Sequence, residues 1–441
     1  MTATAVILAA GLGTRMKSAL PKACHPIAGQ PMLRHLIASV GAVFERIVVV
    51  IGPDMPQLAA IAAPHPVVVQ HERLGTAHAA LQAVDYFGDG DVAVLYADNP
   101  LVTQATLGAL RERRGRGDVG LALLAMRPDD PGRYGRVIGA DGFVERIVEW
   151  ADATPHERAE GLCNAGVLCA AATDMAAWLG AVRPDNAKAE FYLTDVVTLA
   201  RADGERVAAV EAPYEELRGI NSRAELAEAE AVVQRRLRAA ALAAGVTMTA
   251  PDTVFLCLDT KLAADVTIGP NVVFGPGVTV ESGVEIHAFS HLAGCRVRAG
   301  AIVGPFARLR PGADVGAGAH VGNFVELKNT VLGAGAKANH LTYLGDADVG
   351  ARTNVGAGTI TCNYDGYAKH RTSIGEGVFV GSDAVLVAPL RIGDGAFIAA
   401  GSVITEAVAD DAMAFGRARQ QNKPGRAAAF RSAAKARKEK N

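Results

Sequence analysis

Apolar residues recur along this chain in two rhythms, and the change of rhythm divides it. Val6–Ala10, Ile47–Ile51, Val67–Gln70, Val92–Tyr96 and Leu121–Met126 are short apolar runs that predict strands buried on both faces. Helical stretches lie between them, such as Pro31–Val40 with proline in the first turn. The alternation predicts an α/β domain whose mostly parallel sheet binds ligands at the carboxyl ends of its strands. Ser222 and Glu225 have capping-box spacing, and Leu226, Val233, Leu237 and Ala241 form an apolar stripe, predicting a linker helix over 222–244.

After Pro251 the period becomes six. Ile268, Phe274, Val280, Ile286 and Leu292 form one series, Val303, Leu309, Val315, Val321 and Leu327 a second, and Ile374, Val380, Leu386, Ile392, Ile398 and Ile404 a third. Many of these residues are followed by glycine, as Ile268, Val315 and Val321 are. A period of six predicts a triangular β-solenoid with one short strand per face and tight, glycine-dependent corners. At about 18 residues per coil, Ala263 to Ala407 supplies about seven or eight coils, whose inward aliphatics stack into a core. Two gaps interrupt the series, one around His340 and Tyr343 and one over Thr361–Thr372, and both read as loops leaving a corner. The segment Arg417–Asn441 holds nine basic residues and one glutamate. It reads either as a solubilising terminus or as an arm for a phosphorylated ligand.

A length of 441 residues suits two or three domains. With 44 basic against 46 acidic residues the net charge is -2, so nothing in the overall charge argues for nucleic acid or an anionic membrane as a partner. Six cysteines without a CxxC pair favour reduced thiols in a cytoplasmic protein over a structural zinc. No apolar run of about 18 residues is present to span a bilayer.

Candidate chemistry begins directly after the first strand. In Leu8-Ala9-Ala10-Gly11-Leu12-Gly13-Thr14-Arg15-Met16, Gly11 and Gly13 let backbone amides approach phosphate oxygens, and Arg15 adds a forked cation. Pro21-Lys22 places a second positive charge nearby, which a transferring phosphoryl group requires. Asp98, just past the strand Val92–Tyr96, is a hard carboxylate suited to Mg²⁺ shared with substrate phosphates, or a residue shaping the turn before Pro100.

The glycine loop with Pro21-Lys22 resembles the signature of sugar-phosphate nucleotidyltransferases. Together with the six-residue repeats and Asn339-His340-Leu341-Thr342-Tyr343-Leu344-Gly345-Asp346, the resemblance narrows to the bifunctional N-acetylglucosamine-1-phosphate uridyltransferase and glucosamine-1-phosphate acetyltransferase family, over Ala5 to Arg417. The resemblance implies three regions: a Rossmann-like nucleotidyltransferase domain over 1–221, a linker helix over 222–244, and a left-handed parallel β-helix with a basic tail over 245–441. It further implies that glucosamine 1-phosphate is acetylated from acetyl-CoA. The product, N-acetylglucosamine 1-phosphate, then takes UMP from UTP to give UDP-N-acetylglucosamine and pyrophosphate, in a cytoplasmic homotrimer.

By the same resemblance, Leu8, Gly11, Gly13, Lys22, Gln70, Gly75, Thr76, Gly135, Glu149, Asn164 and Asn221 bind the nucleotide and sugar. Lys22 and Arg15 offset charge, while Asp98 and Asn221 hold Mg²⁺. In the solenoid, His340 is the general base and Arg310, Lys328, Tyr343 and Asn354 bind the sugar phosphate. Tyr343 either orients the phosphate or polarises the acetyl carbonyl. Ala357, Asn363, Tyr364, Ser382, Ala400 and Arg417 serve acetyl-CoA or the amino sugar beside it, and Cys362 is a packed thiol rather than a nucleophile. Two departures stand out: Ala97 where many relatives have glycine, and apolar Leu12 inside the glycine turn. The rival readings are a nucleotidyltransferase for another sugar with a purely structural solenoid, and a non-catalytic scaffold.

Overall fold

The computed structural model describes residues 2–439 and separates into two compact units, one reaching Ala239 and the other starting at Ala240. The first is built on a nine-stranded sheet: β1 (Thr4–Leu8), β2 (Arg46–Ile51), β3 (Val67–Val69), β4 (Asp91–Tyr96), β5 (Leu121–Met126), β6 (Arg136–Ala140), β7 (Phe143–Val148), β8 (Cys163–Ala171) and β9 (Val207–Glu211). The spatial order is β3-β2-β1-β4-β8-β5-β9-β7-β6. All five strands expected from apolar runs are present; β1, β2, β4 and β5 are buried on both faces because helices cover both sides, as two separate apolar clusters record, while the edge strand β3 is half-buried. The sheet is nonetheless mixed rather than mostly parallel. β3, β2, β1 and β4 run parallel, but β8 enters antiparallel between β4 and β5. β6 and β7 form a hairpin that carries the chain past the cleft.

The expected linker helix forms over Arg223–Ala243. Ser222 Oγ accepts the Glu225 N–H at 3.2 Å, whereas the Glu225 carboxylate accepts the N–H of Asn221, at 2.7 Å, so the box closes one residue early and pins Asn221. Ala229, Val232 and Val233 pack with Leu226 and Leu237 on Ile27, Met32, Leu101 and Ile220. Most of this helix is therefore part of the first unit, and the division between the two compact units falls inside it, after Ala239.

The second unit is a parallel β-helix. One face alone stacks ten rungs, from Thr247–Met248 to Met413–Ala414, so the solenoid starts before Ala263 and ends beyond Ala407. Every residue of the three predicted series is buried, at 5 % exposure or less. A second inward position, two residues earlier, was not evident from the pattern; it is filled by Val266, Val272, Val278 and Val284 and, further on, by small Ala301, Ala307, Ala313 and Ala319.

The first expected gap is not a loop. Ala338 is the inward residue there, stacked between Val321 and Val355, and it is too small to continue an aliphatic series by eye. The turns Leu292 to Val297, Leu327 to Leu332 and Leu344 to Val349 are each one residue short of six, which also shifts the series. The second gap is an insertion, since Thr361 pairs with Leu386 one coil later and the extra chain leaves as a hairpin with Tyr364 bridged to Lys369.

Apart from Gly304, at φ 97°, the glycines after the inward residues serve close packing between coils rather than the turn. A side chain on Gly322 would place its first carbon 2.0 Å from the Asn339 carbonyl oxygen of the next coil. The left-handed conformation falls instead three residues before the inward position, at Asp265, Asn271, Gly277 and Gly283, and also at Phe289, Phe306, Phe324 and Leu341. No helix among the described residues is long and apolar enough to cross a membrane.

Candidate active sites

In the first unit, the carboxyl ends of β1 and β4 open into a cleft of about 510 Å³, lined by Leu8, Gly11, Arg15, Lys22, Gln70, Gly75, Thr76, Asp98, Glu149 and Asn221, all expected from the sequence. Lys22 is drawn in by the glycine loop. Gly13 has φ 62°, and a carbon at its Cβ position would lie 2.6 Å from Lys22 Cβ, so only glycine lets the loop close on that lysine. The Lys22 ammonium lies 2.5 Å from Asp98 Oδ2 and 3.0 Å from Asn221 Oδ1, and Arg15 reaches the same Asn221 oxygen at 2.8 Å. Two hard oxygens thus converge on a single cationic nitrogen. That donor set, one carboxylate and one amide oxygen, fits Mg²⁺ completed by phosphate oxygens and water.

Gln70 and Thr76 play a partly structural part. Gln70 is buried and its amide donates to Gly75 O at 3.1 Å, while Thr76 Oγ1 accepts the Leu193 N–H at 2.9 Å. Gly75, at φ 135°, is overlain by the Phe191 backbone, where a Cβ would approach within 2.4 Å. At the opposite end of the cleft Glu149 is half-buried. Burial pushes its carboxyl above the ordinary range, against the hydroxyl of Thr194 at 3.3 Å and the charge of Lys188. Gly135 and Asn164 stand behind Glu149 rather than on the cleft wall: the Asn164 N–H donates to Gly135 O at 2.8 Å, and Gly166 N–H to Asn164 Oδ1 at 3.0 Å. Arg73, Tyr96, Lys188, Glu190 and Tyr192 also line the cleft and were not anticipated. Only Tyr96 had a signal, as the last residue of the strand leading to Asp98. Burial pushes the Tyr192 phenol up to about 12, and its hydroxyl has no hydrogen-bond partner among the described residues.

In the second unit, stacking brings the expected residues together in columns. Leu309 pairs with Leu327, so Arg310 and Lys328 project from adjacent rungs of one face, Arg310 held by Glu326 at 2.8 Å and Lys328 standing 3.8 Å from Asp346. Tyr343 folds its phenol over Gly345, the residue paired with Lys328. Lys369, on the inserted hairpin, joins them unforeseen; the positive charge of Lys328 beside it holds it below the ordinary lysine range.

His340 stands exposed at the corner leading to this face, with Nδ1 2.7 Å from Asn323 Oδ1. Because an amide oxygen can only accept, Nδ1 is the donor of this bond, and in the neutral ring Nε2 then carries the free lone pair. Asn323 occupies the same corner position one coil earlier. Ala357, Ser382 and Ala400 follow His340 along that corner, each two residues past the inward Val355, Val380 and Ile398, forming a column of small side chains. Arg417 is exposed beyond its end. Asn363 is buried and its amide donates to Asp346, while Tyr364 is exposed. Asn354 lies on a different face from Arg310 and Lys328, in the ladder of Lys337 and Phe379, so one chain does not bring it to them. None of the six cysteines forms a disulfide.

The MobA-like NTP transferase domain family matches residues 5–179, and the bacterial transferase hexapeptide family matches residues 259–294 and 371–406. The bifunctional protein GlmU of Acidiphilium cryptum is 68% identical over 97% of this chain and 98% of its own. That of Gluconacetobacter diazotrophicus is 68% identical over 99% and 96%, and that of Paramagnetospirillum magneticum 54% identical over 99% and 98%. These full-length matches span both the cleft and the solenoid columns, and the chain belongs to the family of bifunctional GlmU proteins.

Proposed function

We propose that the two units share the synthesis of UDP-N-acetylglucosamine, the solenoid (245–441) acetylating glucosamine 1-phosphate and the first domain (1–221, followed by the helix over 222–244) uridylylating the product. The observation that carries this reading is the pairing, in one chain, of an oxygen-and-cation cluster at the end of β4 with an oriented, half-free imidazole on the solenoid.

In the solenoid, Arg310, Lys328 and Lys369 hold the sugar phosphate and Tyr343 orients it. His340 Nε2 takes a proton from the amine, whose nitrogen attacks the thioester carbonyl of acetyl-CoA; a C–N bond forms, the C–S bond breaks, and the thiol leaves with a proton. The column Ala357, Ser382 and Ala400 leaves room beneath His340 for an extended arm about three rungs long, roughly 14 Å at strand spacing. Arg417 meets the coenzyme phosphates at its end. Asn363 acts by fixing Asp346, and Tyr364 borders the amino sugar.

In the first domain, Gly11, Gly13, Arg15 and Lys22 cradle the UTP phosphates, while Leu8, Gln70, Gly75 and Thr76 bound the nucleoside. Asp98 and Asn221 hold Mg²⁺, which when bound neutralises triphosphate charge. Glu149, with Gly135 and Asn164 behind it, orients the sugar so that its phosphate oxygen attacks the α-phosphorus in line. The new P–O bond forms as the bond to pyrophosphate breaks, with Lys22 and Arg15 offsetting the charge.

The working assembly is a homotrimer in the cytoplasm, a setting that suits six cysteines outside any disulfide. Two observations support the trimer. Asn354 sits on a face that one chain cannot bring to Arg310 and Lys328, so a neighbouring solenoid completes the acetyl site. On the corner carrying His340, Phe289, Phe306 and Phe324 stack at 5.0 and 5.1 Å and stand 53%, 44% and 56% exposed, in a backbone conformation unfavourable for bulky residues. Exchanging Phe306 and Phe324 for aspartate is expected to give monomers by sedimentation. Acetyl transfer then falls at least about tenfold while uridylyl transfer stays within about twofold. The test of the whole reading is mass-resolved product analysis: with glucosamine 1-phosphate, acetyl-CoA, UTP and Mg²⁺, the chain accumulates UDP-N-acetylglucosamine, and omission of acetyl-CoA abolishes it. Pyrophosphate release with a different sugar phosphate and no acetylation would instead support the rival nucleotidyltransferase.

A further inference from the structure

We infer that Arg136 is a positioning residue for the sugar end of the uridylyl-transfer cleft, acting from the reverse side of the sheet without touching substrate. This rests on the reading that Gly135, Glu149 and Asn164 bind the sugar. Arg136 pairs across β6 with Val148 on one side and with Cys163 on the other. The neighbours of these three residues are Gly135, Glu149 and Asn164, which therefore form one transverse row on the sheet face from which Glu149 reaches the cleft, with Gly135 and Asn164 behind it, since adjacent positions in a strand point to opposite faces. A carbon at the Gly135 Cβ position would lie 3.4 Å from Glu149 Oε1, which confirms the shared face.

Arg136 points the other way and is 1% exposed, a cation buried outright. Its five N–H groups make five hydrogen bonds, all to backbone carbonyls: Pro131 at 3.3 Å, Gly132 at 3.0 Å, Tyr134, and Arg158 twice at 3.3 Å. Its guanidinium also lies over the ring of Trp150, the residue after Glu149, at 5.4 Å, and Arg158 covers the same ring at 4.4 Å while donating to Trp150 O at 3.1 Å. One side chain thus ties the loop before Gly135, the residue after Glu149 and the chain leading to Asn164. Burying a charge on carbonyl dipoles alone is costly, and a fold that needed only packing here would be served by an apolar side chain.

The test is steady-state uridylyl transfer in the full chain carrying Arg136→Met, Arg136→Lys or Glu149→Gln, with acetyl transfer by the second unit as the internal control. Arg136→Met is expected to raise KM for N-acetylglucosamine 1-phosphate at least about tenfold, leave KM for UTP within about twofold, and lower the preference for that substrate over glucosamine 1-phosphate; Arg136→Lys, keeping charge and three donors, is expected to restore about half of the logarithmic loss. If Arg136→Met does not fold, Arg136→Lys alone decides by the same split in KM. Equal losses for both substrates, or a KM for the sugar phosphate unchanged while Glu149→Gln raises it, would overturn the role of Arg136. If Glu149→Gln leaves that KM unchanged, the sugar-row reading itself fails, and this inference with it.

Discussion

His340→Ala lowers acetyl transfer about 10²–10⁴-fold, the usual contribution of a positioned general base, and leaves uridylyl transfer unchanged. The size of the effect follows from the protonation problem. The attacking amine carries an extra proton at neutrality, and the thioester accepts only the free lone pair. Asn323 Oδ1 fixes the imidazole proton on Nδ1 at 2.7 Å, so Nε2 is presented as a base without any rearrangement. Alanine removes that base but none of the contacts on Arg310, Lys328 and Lys369, so the loss falls in kcat rather than in KM for the sugar phosphate. Release of the coenzyme thiol measures the first activity, and pyrophosphate release from supplied N-acetylglucosamine 1-phosphate measures the second.

Asp98→Asn produces the opposite pattern, a fall in uridylyl transfer of about 10²–10³-fold with acetyl transfer intact. The substitution keeps the shape of the side chain and removes one negative charge from the cluster in which Lys22 meets Asp98 at 2.5 Å and Asn221 at 3.0 Å. Two effects then act together. The cation-holding oxygens lose their only formal charge, and Lys22 loses the partner that keeps it at the mouth of the glycine loop. Pyrophosphate release across a Mg²⁺ titration separates them: a requirement for more Mg²⁺ with recovery at saturation reports the metal-holding role, whereas a loss that Mg²⁺ does not restore reports misplacement of Lys22.

The solenoid was legible because a repeat with one inward residue every six leaves the same trace many times over, and Ile268 or Leu309 can be assigned without knowing its neighbours. Legibility failed where the inward residue is small, at Ala338 and Thr361, and where a turn drops one residue, as between Leu327 and Leu332. β8 escaped notice as a partner of β4 and β5 because a buried run such as Cys163–Ala171 carries no sign of its direction. In the first site, Asp98 announced itself as the end of a buried strand, but Asn221 was reachable only through resemblance. It is brought to Lys22 by the packing of the helix that follows it, and no spacing rule encodes that. Asn323 illustrates the intermediate case. It lies one coil of 17 residues before His340, and becomes visible once the coil length is known. Lys188 and Tyr192 sit in irregular chain between Val182 and Asp195, where neither periodicity nor motif marks a residue that lines a cleft.

The most direct test of two separate activities in one chain is a mixing experiment. The His340→Ala and Asp98→Asn chains are each supplied with glucosamine 1-phosphate, acetyl-CoA, UTP and Mg²⁺, alone and together, and UDP-N-acetylglucosamine is followed by mass. Each variant alone is expected to make almost none, the first stalling before acetylation and the second accumulating N-acetylglucosamine 1-phosphate, while the mixture makes it freely because the intermediate passes from one chain to the other. A mixture as inactive as its components, with no acetylated sugar phosphate accumulating in the Asp98→Asn chain, would contradict the assignment of the two steps to these two sites.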